Sequence, residues 1–176
     1  MQLPAKIYFI LFILLYPYLL NSQMNDGAKV ENVMAVYIYN FTKFLEWPQN
    51  ESENFYIYVL GNNPLTEPLE VIAEKEKILN KSIIVSEITE IEKITPGSIV
   101  FIDSKFQSKS NDISALASEK NILTVSSFND AVEKGMCINF VLDDKKLRFE
   151  INLKALENAG IKPNSKLLSL AVKVFN

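Results

Sequence analysis

The chain has 176 residues, a net charge of −3 and 48% apolar residues. That length suits one domain, and an apolar fraction near one half excludes a disordered or collagen-like chain. The lysines are spread out with no basic stripe, which argues against nucleic-acid binding. Cys137 is the sole cysteine and histidine is absent. A lone thiol excludes an internal disulfide and cysteine-based zinc sites. Without histidine the chain lacks the commonest general base and metal ligand.

Lys6 begins a short positive region, and Ile7 to Leu20 is an apolar run interrupted only by Pro17. The run is shorter than the ~20 residues a membrane-spanning helix needs. Asn21, Ser22 and Gln23 give a small polar exit. The pattern predicts a secretory signal peptide over residues 1–22, cleaved near Ser22. An uncleaved N-terminal anchor is the alternative. No cysteine follows the run, which excludes a lipoprotein.

From Val30 to Pro48 the apolar residues follow a helical period. Val30, Val33, Met34, Tyr37, Ile38, Phe41, Phe44 and Leu45 form one stripe, opposite Asn32, Asn40, Lys43 and Glu46. Pro48 ends the helix at about Glu46 or Trp47. Each buried large side chain contributes roughly 1.5–3 kcal/mol, so this helix is expected to organise the core.

Phe55 to Leu60 is aromatic and β-branched and reads as a strand, stopped by Gly61-Asn62-Asn63-Pro64. Leu65 to Lys77 has helical spacing, with Pro68 in the first turn. Ser82 to Ser86 is a second strand. Ile88, Ile91 and Ile94 suggest a helical turn before Pro96-Gly97. Ser98 to Ile102 is a continuous apolar run, as in a strand covered on both faces. Ser110 to Glu119 reads as a helix, Ile122 to Ser126 as a strand, and Ser127 to Gly135 as a turn into a short helix. Cys137 to Leu142 and Lys146 to Ile151 form an antiparallel hairpin around Asp143-Asp144-Lys145. Asn152 to Asn158 and Ser165 to Phe175 complete the chain as helices.

Strand, turn, helix, strand through the middle implies βα units. The expected fold is one three-layer α/β domain. Its sheet is mixed but mostly parallel, of about five or six strands, with the antiparallel hairpin at its C-terminal side.

Ligands of open α/β sheets gather at the carboxyl ends of the strands. Here that places Asn62, Asn63, Asp103 and Ser126 as candidate ligand or partner contacts. A lone glycine is neither a dinucleotide fingerprint nor a P-loop. Turn formation also accounts for Gly61 and Asn63. Asp103 and the serines in such places are more often helix caps or loop polars than catalytic groups. No serine elbow is present, and a Ser-His-Asp triad is impossible. The expectation is a non-enzyme with no catalytic residues, no metal site and no cofactor.

Arg148 is the only arginine. Its planar fork binds carboxylates in a way lysine does not reproduce. It can pair with a carboxylate such as Glu150 or Glu46, or contact an anionic ligand or partner. Asn152, four residues on, shares its side of the strand.

Taken together, YNFTKFLEWP, VLGNNPL, SIVFID, NILTVSSF, GMCINFV and RFEINLKALENAGIKPNSKLLSLA resemble the YfiR family of exported bacterial proteins. The resemblance runs from about Lys29 to Val174, and the domain is taken as residues 29–176. It implies a periplasmic, non-catalytic regulator that acts on a membrane-bound signalling protein, a diguanylate cyclase or a sensor kinase, through its periplasmic domain. It also implies an OmpA-like lipoprotein as a second partner. The best-known member carries disulfides, which a chain with Cys137 alone does not share. A homodimer and a small-molecule sensor are the other expectations.

Overall fold

The computed structural model describes residues 26–176, with side chains from Val30 onward. The expected export segment, residues 1–22, lies outside the described residues. Helix α1 (Asp26–Phe44) opens the domain. It ends earlier than Pro48 alone predicts, because the chain leaves it to pair. Strand β1 (Leu45–Glu46) lies antiparallel to β9 (Lys162–Pro163), and the Asn164 amide donates to the Phe44 carbonyl at 3.0 Å.

The main sheet holds β2 (Asn54–Leu60), β3 (Lys77–Ile78), β4 (Lys81–Ile88), β5 (Ile99–Asp103), β6 (Leu123–Ser127), β7 (Ile138–Asp143), β8 (Lys146–Asn152) and β10 (Lys173–Phe175). Its order is β10-β8-β7-β6-β5-β2-β4-β3, so it has 8 strands rather than the expected five or six. Strands β4, β2, β5, β6 and β7 are mutually parallel. β8 turns back antiparallel to β7, as predicted for the hairpin.

Two strands of this sheet escaped the sequence reading, and both are edges; the β1–β9 pair escaped it as well. β3 pairs with β4 through a two-residue turn at Leu79 and Asn80, both at positive φ. This turn shortens the expected Leu65 to Lys77 helix to α2 (Thr66–Ala73). At the other edge the expected final helix stops at α5 (Ser165–Leu170), where Ala171 turns extended. Lys173 to Phe175 then pair parallel with Glu150 to Asn152. The alternation Val172-Lys173-Val174 was the strand signal, outweighed by the leucines before it. The short helix expected before Gly135 is instead a run of turns.

Alternation along β2 explains the layers. Phe55, Ile57 and Val59 join Met34, Ile38 and Phe41 of α1 and Leu69 of α2 in one core. Tyr58 and Leu60 join Val100, Ile102 and, from α3 (Ser110–Lys120), Ile113 and Ala117 in the other. α4 (Leu153–Asn158) adds Leu156 to the first core. Phe41 meets Phe149 edge-on at 5.0 Å between ring centres and stacks on Phe140 at 5.9 Å, fastening α1 to the hairpin.

The amino-terminal part of the predicted stripe does not reach this core. Val30 and Val33 are 38% and 40% exposed. The reason is positional: α1 runs antiparallel to β2, and its first turns flank the loop beyond the end of that strand.

Candidate functional site

The parallel strands bring three of the six candidate residues to one edge. At the end of β2, Gly61 takes φ +80°, and its N–H donates to the Ile88 carbonyl at 2.7 Å. A Cβ there would lie 2.3 Å from the Phe106 ring, so both conformation and space demand glycine. This turn delivers Asn62 to the surface and Asn63 to the neighbouring strand end.

Asn63 uses its side chain in two directions. Its Oδ1 accepts from the Leu65 N–H at 3.0 Å, and its Nδ2 donates to Asp103 Oδ2 at 2.9 Å. The other Asp103 oxygen accepts from the Lys105 N–H at 2.9 Å, at the start of a 3-10 turn. Glu87 at the end of β4 accepts from Thr66 Oγ1 at 2.7 Å and from the Asn63 N–H at 3.3 Å. The strand-end cluster therefore has partners already, and Asn62 is its exposed member.

The other candidates lie elsewhere. Ser126 is fully buried. Its hydroxyl bonds to the Ile138 carbonyl at 3.2 Å and to Asn139 Oδ1 at 3.0 Å, which leaves no face for a ligand. Asn152 caps α4: its Oδ1 accepts from the Ala155 N–H at 2.8 Å, and its Nδ2 donates to the Val132 carbonyl at 2.9 Å. Arg148 is exposed on β8 opposite Val141. The expected ion pair with Glu150 or Glu46 does not form. The hairpin extends past its pairing with β6 and β10, so water solvates the guanidinium better than one surface carboxylate would.

Beside the strand-end cluster lies a groove of about 970 Å³ between α1 and α2. Val36 and Val71 face it from the two helices, 51% and 47% exposed. Glu31, Glu67, Glu70 and Glu87 surround it, and among the described residues no lysine or arginine lines it. At the far end of the helix pair, Tyr39 donates to Glu76 Oε2 at 2.6 Å. Sequence reasoning missed this groove because it followed the stripe of Val30, Val33 and Met34 into the core and gave Val36 no role. The missed signal was Val36, which lies off the predicted stripe and is apolar nonetheless.

Among the described residues no three His, Cys, Asp or Glu side chains are placed to hold a metal ion. Cys137 is buried, and burial pushes its thiol up despite the nearby Thr124 hydroxyl. Such a thiol is a poor nucleophile.

A crystal structure of a conserved domain protein from Vibrio cholerae O1 biovar El Tor superposes with a TM-score of 0.56 at 13% identity. The alignment covers 82% of this chain and 60% of that one, so this chain spans about three fifths of the relative's length. At that identity the likeness establishes the fold alone. No curated protein matches the sequence. A family model described as YfiR/HmsC-like matches residues 31–172, from the second turn of α1 to the approach to β10. The chain thus belongs to the YfiR/HmsC-like family.

Proposed function

We propose that this protein is an exported, non-catalytic regulator that docks on the periplasmic domain of a membrane-bound signalling protein. The observation that carries the reading is the family match over residues 31–172, in a family associated with control of diguanylate cyclases. The chemistry agrees with it. The polar groups at the strand ends bond to one another, and the acidic groove offers a surface rather than an enclosed cavity.

Regulation by docking needs only differential affinity. A partner's active and inactive states are shifted by whichever one this protein binds more tightly. A preference of about 2.7 kcal/mol changes their ratio about 100-fold. In this reading residues 1–22 direct export, residues 29–176 form the working domain, and an OmpA-like lipoprotein competes for it.

The test is deletion of the gene, with measurement of cyclic-di-GMP and affinity capture of membrane partners by the exported chain. A changed cyclic-di-GMP level and a captured protein with a periplasmic domain are expected. An unchanged level with no such protein captured would overturn the reading.

A further inference from the structure

The groove between α1 and α2 combines an apolar seat with an acidic rim. Val36 and Val71 present apolar surface from facing helices. Around them stand Glu31, Glu67, Glu70 and Glu87, with no basic side chain in the lining among the described residues. An apolar seat inside an acidic rim is complementary in shape and charge to a cationic amphipathic segment. Glu31 adds a third observation: its Oε2 is enclosed and has no hydrogen-bond partner among the described residues. A buried, unpaired carboxylate oxygen is costly to leave unsatisfied. The Glu31 carboxylate adds a negative charge to the rim of the groove.

We propose that this groove docks a cationic amphipathic polypeptide segment of the partner protein. Its apolar side chains seat on Val36 and Val71, and its lysines or arginines reach the surrounding glutamates. The proposal deepens the regulatory reading above and rests on it for the identity of the partner as a protein. Helix-in-groove recognition uses anchors one turn apart, and the two-helix wall suits that geometry. Opposite charge adds encounter rate and register more than raw affinity, so the binding is sensitive to salt.

The probe is a labelled Leu/Lys amphipathic peptide of about 18 residues, five turns of helix, beside a Leu/Glu twin. Binding to the exported chain is read by fluorescence anisotropy. The Leu/Lys peptide is expected to bind and the Leu/Glu twin not to. The double reversal Glu67→Lys/Glu70→Lys should weaken binding at least about 10-fold, roughly 1.4 kcal/mol. An equal reversal on α3, Asp112→Lys/Glu119→Lys, lies on the opposite sheet face and should leave it unchanged. Thermal melts of both variants confirm folding. Equal loss in both variants, or equal binding of the two peptides, would overturn the proposal. So would a dimer of this chain, seen by sedimentation, that Glu67→Lys/Glu70→Lys dissolves.

A cellular arm separates this proposal from the broader reading. If the wild-type gene restores cyclic-di-GMP in the deletion strain and Glu67→Lys/Glu70→Lys restores it equally, the groove is not the docking face, while the regulatory role stands. If deletion itself changes nothing and no membrane partner is captured, the regulatory role fails, and the peptide measurements alone decide what the groove binds.

Discussion

Asn63 Nδ2 and Asp103 Oδ2 are 2.9 Å apart, joining the loop after β2 to the end of β5. Both residues also hold a backbone amide, Asn63 that of Leu65 and Asp103 that of Lys105. One side-chain bond thus braces two turns at once. Asn63→Ala should cost about 1 kcal/mol of stability, and Asp103→Ala a similar amount. The double variant should lose less than the sum, because the two share the bond. Urea unfolding of the four proteins measures the coupling, and strict additivity would show that the bond contributes nothing.

Gly61→Ala tests the turn that delivers this pair. The positive φ costs an alanine about 1–2 kcal/mol, and contact with Phe106 adds to it. Adding Phe106→Ala in the same chain should remove the contact without curing the backbone strain. The midpoint of denaturant unfolding is therefore expected to fall for Gly61→Ala. Against a Phe106→Ala background, the same glycine change should then cost less.

Tyr39 carries a pH prediction. Its hydrogen bond to Glu76 is the main cause raising its pKa above the ordinary 10.0, with desolvation and the Glu76 charge adding to it. A raised pKa in the folded state means folding favours the protonated phenol. The associated stability is complete below about pH 10 and is lost as pH climbs through the higher folded value. The pair is part-exposed, so the contribution is about 0.5 kcal/mol or less. Tyr39→Phe should lower stability slightly at neutral pH and flatten its decline in alkali, as read from melts at pH 8 to 11.

Cys137 predicts a folding readout. The thiol is buried and its pKa raised, chiefly by desolvation. Native protein at pH 8 should resist a thiol-directed alkylating reagent, and denatured protein should take up one equivalent. Rapid labelling of the native chain would contradict the buried placement.

Much of this fold was legible in the residues. The core strands announced themselves because a parallel strand covered on both faces must be apolar throughout, as Ile99 to Ile102 are. The hairpin was legible because Asp144 and Lys145 leave too short a joint for anything but an antiparallel return. The edge strands were not, since short segments at a sheet margin take their form from the neighbour that pairs with them. Lys173 to Phe175 are a strand because β8 offers its open edge. Among the candidate site residues, Asn63 and Asp103 could be placed at strand ends from the sequence, but not at neighbouring ones, because β4 separates their strands in the chain and not in the sheet. The direct bond between them could not be placed that way, nor the burial of Ser126 or the solvation of Arg148.

Local order along the chain determined the βα alternation, the hairpin and the family motifs, because these depend on period, turn chemistry and neighbours in sequence. Tertiary structure alone decided which face of α1 stays open. Met34 and Ile38 meet the sheet, whereas Val33 and Val36 stay exposed, the latter beside α2 and the glutamates. Periodicity tells which residues share a side of a helix. It does not tell how far along the helix the covering layer reaches, which leaves Val33 exposed, nor which element flanks the other side, which sets Val36 beside α2.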